Sequence, residues 1–178
     1  MFRKRWRPKS EEDAPRLIKD QEGSRERTMT RAVKLLAAKP RSVAQLRERL
    51  LEKSWTDENI VDGVLAKLKD YKYLDDEQFA GDLAISRLRQ KPQGERRLKQ
   101  TMSQKKLDKE IVEKAIQSAF EKLPESELLE RAIEKRVRLK GKPETRADLK
   151  KFYDYLMRQG FGYDLIRTKM DATLRGIL

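Results

Sequence analysis

The segment LRERLLEKSWTDENIVDGV at residues 46–64 sets the architecture of this chain, because its apolar pattern returns at 98–116 and at 152–170. In each copy, large apolar residues stand at offsets 0, +4, +9, +14 and +18, and many of the residues between them are charged. Residues four apart share one helix face, so each copy predicts a helix, a short turn and a second helix. The fifteen positions, which we expect to be mostly buried, are Leu46, Leu50, Trp55, Ile60, Val64, Leu98, Met102, Leu107, Val112, Ile116, Phe152, Leu156, Phe161, Ile166 and Met170.

A further helical stretch precedes each copy, so the sequence predicts an all-α chain of about nine helices in three tandem three-helix repeats. The repeats are expected at 28–74, 75–123 and 124–178, with the first helix near 28–38. Residues 1–27 lack periodicity and mix both signs of charge, which indicates a flexible N-terminal arm. Tandem helical units of this kind form elongated arrays that present an extended surface to a large partner.

Short polar residues mark the expected helix starts. A side-chain oxygen at such a position accepts a hydrogen bond from a free backbone N–H of the first turn. Ser42 followed by Gln45 has the spacing of a capping box. The expected N-caps are Ser42, Thr56, Asp75, Asp108 and Thr145.

The aromatic residues divide into two groups. One group follows the apolar pattern and is interpreted as core, not as a surface on which nucleic-acid bases stack. It consists of Trp55, Phe79, Phe152 and Phe161. Tyr71, Tyr73 and Tyr163 are less constrained by the pattern.

The composition excludes several classes of chemistry. The 178 residues contain no histidine and no cysteine, which removes the imidazole base, the thiolate nucleophile and the usual zinc ligands. The sequence has neither a phosphate-binding loop nor a glycine-rich dinucleotide motif. No apolar run reaches the roughly 18 residues of a membrane span, and the N-terminus does not resemble a secretory signal. We therefore expect no enzyme, no metal and no cofactor, in a protein that suits the cytoplasm.

Cations are concentrated in two segments of the sequence. Residues 86–106 hold eight cations and one anion, a net +7, and residues 131–151 hold nine cations and three anions, a net +6. Together they account for the whole net charge of +13, at comparable places in the second and third repeats. Such concentrated charge favours a surface that binds a polyanion. The residues expected to make this electrostatic contact are Arg87, Arg89, Lys91, Arg96, Arg97, Lys99, Arg131, Lys135, Arg138 and Lys142.

The expected helix start at Gly94 adds the positive end of a helix to the first of these segments, which also favours anion binding there. A simpler interpretation is that both segments are solvated helix faces. Two helices joined by a tight turn also occur in DNA-binding domains, but any three-helix bundle contains that arrangement.

Several short motifs resemble those of the RecX regulatory protein family. They are Tyr73-Leu74-Asp75-Asp76 with Phe79-Ala80, then Gly94-x-x-Arg97-Leu98, then Arg158-Gln159-Gly160-Phe161, and the resemblance covers about residues 28–176. It implies an elongated, curved array of three-helix repeats that lies in the groove of the RecA–single-stranded-DNA filament and blocks its extension or its activities.

The chain departs from the family pattern in two of its three turns. Members commonly have glycine before the turn residue, whereas this chain has Ser54 and Lys106 there and keeps only Gly160. A residue other than glycine at a left-handed helix end costs up to about 1 kcal/mol, so this departure affects the turn geometry of the first two repeats.

On the resemblance, the sequence predicts a non-enzymatic, monomeric regulator of RecA that acts in homologous recombination, DNA repair and the SOS response. The expected partners are the RecA filament and single-stranded DNA, with duplex DNA as a further candidate and no membrane. The alternative is a helical DNA-binding module that acts on nucleic acid without RecA. An enzyme acting on nucleic acid comes third, because the chain lacks histidine and any carboxylate set suited to a metal.

Overall fold

The structure is a computed structural model that describes Ile18 and residues 20–175, with side chains described up to Asp171. This part of the chain forms nine helices and no strand, which confirms the all-α prediction. The helices are α1 (Gln21–Ala38), α2 (Val43–Leu51), α3 (Glu58–Asp70), α4 (Asp76–Gln90), α5 (Glu95–Ser103), α6 (Lys109–Lys122), α7 (Glu125–Lys140), α8 (Arg146–Arg158) and α9 (Tyr163–Arg175). The curvature of the array and the precise repeat boundaries stay predictions.

The described residues divide into two compact units. The first unit runs up to Pro40 and from Leu46 to Leu74, and it holds α1, α3 and most of α2. The second unit consists of Arg41–Gln45 and the chain from Asp75, and it holds the later helices. In the first unit α1 packs against α3, around a core of Ala32, Leu46, Leu50, Ile60, Val61, Val64, Leu65, Leu68 and Leu74. In the second unit α4 packs against α5 and α6, and α7 packs against α8 and α9, around one continuous apolar cluster.

The repeated apolar pattern is the core of both units. Thirteen of its fifteen positions are buried, and the two exceptions share one offset, +9. Phe161 is buried at that offset in the third copy, whereas Leu107 is half-buried in the second and Trp55 is 36% exposed in the first. The expectation that Trp55 is core is therefore wrong, and the expectation for Leu107 holds only in part.

The end of α8 explains the burial of Phe161. Gly160 has a φ of +94°, and its N–H donates to the Met157 carbonyl at 2.9 Å, while the Phe161 N–H donates to the Leu156 carbonyl at 3.4 Å. This is a Schellman closure, in which the residue after a left-handed glycine packs on the last helical turn. Phe161 and Leu156 are accordingly both buried.

The corresponding turns of the first two repeats close differently. Lys106 is left-handed, with a φ of 56°, and its N–H bonds the Ser103 carbonyl at 3.4 Å, as the Gly160 N–H bonds Met157, but no bond from the Leu107 N–H that would match the Phe161 bond is recorded among the described residues. Ser54 is not among the described residues with positive φ, which are Lys72, Lys106, Gly141 and Gly160. The Trp55 ring faces solvent, with the Lys53 Nζ 5.6 Å from its centroid. In both turns a residue other than glycine, Ser54 or Lys106, thus precedes a residue that is not fully buried, Trp55 or Leu107.

The first helix begins at Gln21, seven residues before the sequence analysis placed it. The Asp20 carboxylate accepts the Gly23 N–H at 2.9 Å, and the buried Ser24 hydroxyl donates to the Trp55 carbonyl. Residues 21–27, predicted as part of a flexible arm, therefore belong to a packed helix. Residues 1–17 and 19 of that arm lie outside the described residues.

Four of the five expected helix caps are present. Ser42, Asp75, Asp108 and Thr145 each accept a backbone N–H within the next three residues. The exception is Thr56, since Asp57 accepts the Ile60 N–H at 2.8 Å and caps α3 instead. Thr56 is buried, and its hydroxyl is 3.1 Å from that of Thr28 on α1.

Small residues allow α4 and α6 to pack closely. The fully buried face of α4 consists of Ala80, Ala84 and Leu88, and it meets α6, which buries Ala115 and Ala119. Phe79, predicted as core, is only half-buried beside this face. Side-chain size at the contact sets the distance between packed helices, so the alanines take the central position.

Candidate nucleic-acid interface

The ten residues predicted to bind a polyanion lie in two places in the second unit. Six of them lie at the end of α4 and in α5; we call these the 87–99 cations: Arg87, Arg89, Lys91, Arg96, Arg97 and Lys99. Four lie on α7 or just beyond it; we call these the α7 cations: Arg131, Lys135, Arg138 and Lys142. All are exposed except Arg97, which is half-buried.

Two of the 87–99 cations bond the C-terminal end of α8. The Arg96 Nη2 donates to the Met157 carbonyl at 2.9 Å, and the Arg97 Nη1 donates to the Arg158 carbonyl at 2.7 Å. The last four carbonyls of a helix have no partner within it and form its negative pole. The two guanidinium groups therefore satisfy acceptors of their own chain.

The backbones of the two helices meet beneath these arginines. The Gly94 N–H donates to the Gln159 carbonyl at 3.0 Å. A Cβ atom on Gly94 would lie 2.3 Å from the Gly160 carbonyl oxygen, and one on Gly160 would lie 2.5 Å from the Arg97 nitrogen. Only glycine at both positions allows this approach. We call the contact of residues 93–97 with residues 157–160 the α5–α8 joint.

The start of α5 is closed by its own chain. The Gly94 N–H is taken by Gln159, and the Glu95 N–H donates to Glu125 Oε1 at 3.2 Å. Burial raises the pKa of the Glu125 carboxyl, although the hydrogen bond from Glu95 acts in the opposite direction. These amides are not available to an external anion, contrary to the sequence-based expectation for this helix start.

The remaining 87–99 cations have different surroundings. Lys99 Nζ is 3.1 Å from the Glu113 carboxylate of α6. Arg87 and Arg89 lie in the last turn of α4 and Lys91 directly follows it, and none of the three has a recorded ion pair among the described residues. The charge available to a partner in this segment is therefore mainly theirs.

The α7 cations form an exposed stripe. Arg131, Lys135 and Arg138 follow one another at intervals of four and three residues, which places them on one helix face, and Lys142 follows the helix end at Gly141. Arg131 is 4.0 Å from Glu127, at the limit of an ion pair, and no ion pair of Lys135, Arg138 or Lys142 is recorded in the described chain. The neighbouring Arg136 is held 4.9 Å from the Tyr155 ring centroid and lies outside the stripe.

The sequence analysis missed the joint and gave no role to Gln93 and Gln159. Both are buried there, and the Gln93 Nε2 and the Gln159 Oε1 have no hydrogen-bond partner in the structure. Both segments stand in motifs that resemble the RecX family, but their contact could not be predicted from local patterns, because the bonded residues lie 61 positions apart in the sequence.

Features of other site classes are not found in the described chain. Within residues 20–175, no three carboxylates come together as a metal site requires. No helix there is both long and apolar enough to cross a bilayer.

Comparison with known proteins identifies the same three helical domains. Models of the RecX family match the chain at residues 29–68, 75–116 and 124–170, as its first, second and third three-helix domains. The chain is 29% identical to the regulatory protein RecX of Chlorobaculum tepidum, over 86% of this chain and 92% of that protein. It is 32% identical to that of Prosthecochloris aestuarii, over 83% and 94%.

Solved structures agree on the fold. The crystal structure of RecX from Lactobacillus salivarius superposes with a TM-score of 0.73 at 21% identity, covering 84% of this chain and 96% of that one. A second crystal structure of a regulatory protein RecX gives a TM-score of 0.70, also at 21% identity, covering 83% and 73%.

Proposed function

The chain belongs to the RecX family of regulatory proteins, and from this premise we propose that it regulates the RecA recombinase. It binds the filament that RecA forms on single-stranded DNA and mostly inhibits filament extension, ATP hydrolysis and strand exchange. It acts as a monomer in the cytoplasm, in homologous recombination and DNA repair, and it performs no catalysis of its own.

The observation that carries this proposal is the stripe of α7 cations. Lys135 and Arg138 are exposed on one face of α7 without a recorded ion pair in the described chain. Cations that the fold does not pair with its own carboxylates are suited to an external polyanion. A nucleoprotein filament supplies negative charge, and long-range attraction speeds the encounter.

The absence of catalysis rests on the side chains that the sequence contains. It offers no imidazole and no thiol, so acid–base or nucleophilic chemistry would depend on carboxylates and lysines. A regulator that caps a growing filament needs no such chemistry, since one bound molecule stops the addition of many subunits.

The test is RecA ATP hydrolysis on circular single-stranded DNA, with this protein at a small fraction of the RecA concentration. We expect a progressive loss of activity with the wild-type protein, and a much weaker loss with the Lys135→Glu/Arg138→Glu variant. Lys114→Glu/Lys122→Glu is the matched control, because it removes the same charge from exposed positions of α6.

The alternative is a DNA-binding module that works without RecA. Unchanged ATP hydrolysis at equimolar protein, together with tight binding to naked DNA, would favour that alternative. Equal loss of inhibition in both charge-reversal variants would mean that net charge matters and the α7 face does not.

A further inference from the structure

Two exposed tyrosines stand at the C-terminal end of α3, in the first unit. The side chain of Tyr71 is 66% exposed and that of Tyr73 is 71% exposed, which makes them the most exposed large hydrophobic residues described in this chain. Lys72 lies between them and is also exposed. We call residues 71–73 the tyrosine tip.

A Schellman closure holds the tip in a defined conformation. The Tyr73 N–H donates to the Leu68 carbonyl at 2.9 Å, and the Lys72 N–H donates to the Lys69 carbonyl at 2.9 Å. The next residue, Leu74, also donates to the Leu68 carbonyl and is buried in the core of the unit. The backbone that carries both rings is therefore fixed on each side, although the rings themselves face solvent.

The tip contains a conformation that glycine would adopt more easily. Lys72 has a φ of 59°, in the left-handed region. A residue other than glycine costs about 1 kcal/mol or more there. Strained backbone of this kind is concentrated at functional positions. Lys72 is one of two described residues other than glycine with a positive φ, the other being Lys106 in the turn of the second repeat.

Three lysines lie close to the two tyrosines in the sequence. Lys67 and Lys69, in the last turn of α3, are exposed, as is Lys72; Asp70 is the acidic residue among residues 67–73, and Asp75, Asp76 and Glu77 follow at the start of α4. No ion pair of these three lysines is recorded in the part of the chain that the structure describes. Exposed aromatic rings between lysines combine the two elements of a surface for single-stranded nucleic acid, which are stacking platforms and phosphate contacts.

We propose that the tyrosine tip binds single-stranded DNA by stacking Tyr71 and Tyr73 on its bases, while Lys67, Lys69 and Lys72 contact the phosphates. Single-stranded DNA is the favoured partner because its bases offer open faces, whereas a duplex hides them in the stack. A protein partner is less suited, because the adjacent apolar residue Leu74 is buried and leaves no continuous apolar patch beside the rings. The inference deepens the proposed function, on which it rests for its biological setting, by adding a contact outside the α7 cations.

The experiment measures binding to naked DNA, so that it does not depend on RecA. A labelled 20-nucleotide oligothymidylate is compared with an abasic strand of the same length, which keeps the phosphates and lacks the bases. We expect the wild-type protein to bind the oligothymidylate more tightly. We expect Tyr71→Ala/Tyr73→Ala to lose about tenfold or more in affinity for it, and to bind the abasic strand as the wild type does.

Two further variants complete the design. Tyr71→Phe/Tyr73→Phe should bind as the wild type, because phenylalanine stacks without the hydroxyl. Tyr163→Ala is the matched control, since Tyr163 is 55% exposed but lies beside the Tyr153 ring, at 6.1 Å between centroids. Thermal unfolding of each variant should be close to that of the wild type, because the removed rings are exposed.

The outcomes separate this inference from the proposed function. Wild-type protein that does not distinguish the two strands, or that does not bind oligothymidylate, overturns the inference and leaves RecA regulation to its own test. Unchanged DNA binding by Tyr71→Ala/Tyr73→Ala, with weakened inhibition of RecA, would assign the tip to a protein contact instead. Base-dependent binding that Tyr71→Ala/Tyr73→Ala abolishes, without any effect of the protein on RecA, would support DNA binding by the tip and contradict the proposed function.

Discussion

The 87–99 cations and the α7 cations have similar charge in the sequence and different roles in the structure. In the first group, Arg96 and Arg97 donate to the end of α8 and Lys99 pairs with Glu113, which leaves half of the group without a recorded ion pair in the described chain. In the second, Lys135 and Arg138 have no recorded ion pair among the described residues. The density of positive charge along a sequence therefore does not by itself locate a binding surface. What matters is whether the chain already supplies an acceptor to each cation.

The difference follows from what lies opposite each segment. The end of α8 presents to α5 carbonyls that can accept further hydrogen bonds, so arginines at the start of α5 stabilise the contact between the second and third repeats. On α7, Lys135 and Arg138 are exposed, and no hydrogen bond from them to a helix end is recorded within the described residues. Charge is thus used inside the fold where two helix termini meet, and is left for a partner where a helix face is open. Substitutions in the two segments and in the joint can either remove this difference or measure it.

The largest effect is expected beneath the α5–α8 joint. Phe161→Ala should lower the free energy of unfolding by about 3–5 kcal/mol, because the ring is 1% exposed and its removal leaves a cavity. Trp55→Ala, at the equivalent position of the first repeat, should cost less, about 1–3 kcal/mol, because that residue is 36% exposed and leaves a smaller cavity. Chemical denaturation measures both. Equal losses would contradict the account of the two turns.

A second prediction tests the close approach of the two backbones. Gly94→Ala places a Cβ 2.3 Å from a carbonyl oxygen, so the joint must open, and we expect a loss of about 1–3 kcal/mol. Gly81→Ala on α4 is the matched control, since nothing lies within 4 Å of the added atom. It should be neutral or stabilising, because alanine favours a helix over glycine. A Gly94→Ala protein as stable as the Gly81→Ala protein would mean that the two backbones of the joint can separate at little cost in free energy.

The third prediction compares the two basic segments directly. Arg96→Glu/Arg97→Glu puts carboxylates against the carbonyls of α8, and we expect it to destabilise the second unit by about 1–3 kcal/mol. Lys135→Glu/Arg138→Glu should cost less, at most about 1 kcal/mol, because no recorded hydrogen bond or ion pair of the described chain is lost and only the favourable charge of Arg138 in the last turn of α7 is reversed. Thermal and urea unfolding monitored by circular dichroism provide the measurement. If the two variants are equally stable, the hydrogen bonds of Arg96 and Arg97 contribute little.

Local sequence preferences alone lead to a different expectation for Arg96→Glu/Arg97→Glu. Helix propensity and the preference of glutamate for a first turn predict unchanged helix content for Arg96→Glu/Arg97→Glu. That argument considers only the helix to which the arginines belong. Their hydrogen-bond partners lie 61 residues further along the chain, and local propensity carries no information about them.

Local patterns predicted the helices well because their causes are local. Apolar spacing located thirteen buried positions, and side-chain caps at Ser42, Asp75, Asp108 and Thr145 were identified from residue type alone. The start of α1 at Gln21 was not predicted from the sequence, because residues 21–27 carry little apolar periodicity. They are held by the polar contact of Ser24 with the Trp55 carbonyl, which depends on tertiary structure.

The candidate interface could be predicted only in part, for the same reason. Composition located the two basic segments, but it could not separate cations that bond their own chain from cations that face solvent. Resemblance to the RecX family supplied the expected partner, which no spacing of lysines and arginines could identify. Tyr71 and Tyr73 were recognised as unconstrained by the apolar pattern, and only the structure gives their exposure and the closure that holds them.

The smallest structural effect, and the one most specific for function, is expected at the α7 cations. Lys135→Glu/Arg138→Glu should weaken binding to the RecA–single-stranded-DNA filament while the protein remains fully folded. Each phosphate contact to a single strand contributes about 0.7 to the slope of log affinity against log salt, so losing two lowers that slope by about 1.4 in magnitude. Binding is measured by fluorescence anisotropy over a range of salt concentrations, with Lys114→Glu/Lys122→Glu as the control of equal charge. We expect the control to keep the wild-type slope, because α6 lies outside the stripe. If both variants keep the wild-type affinity and slope, the α7 face is solvated surface, and the contrast between the two basic segments has no bearing on filament binding.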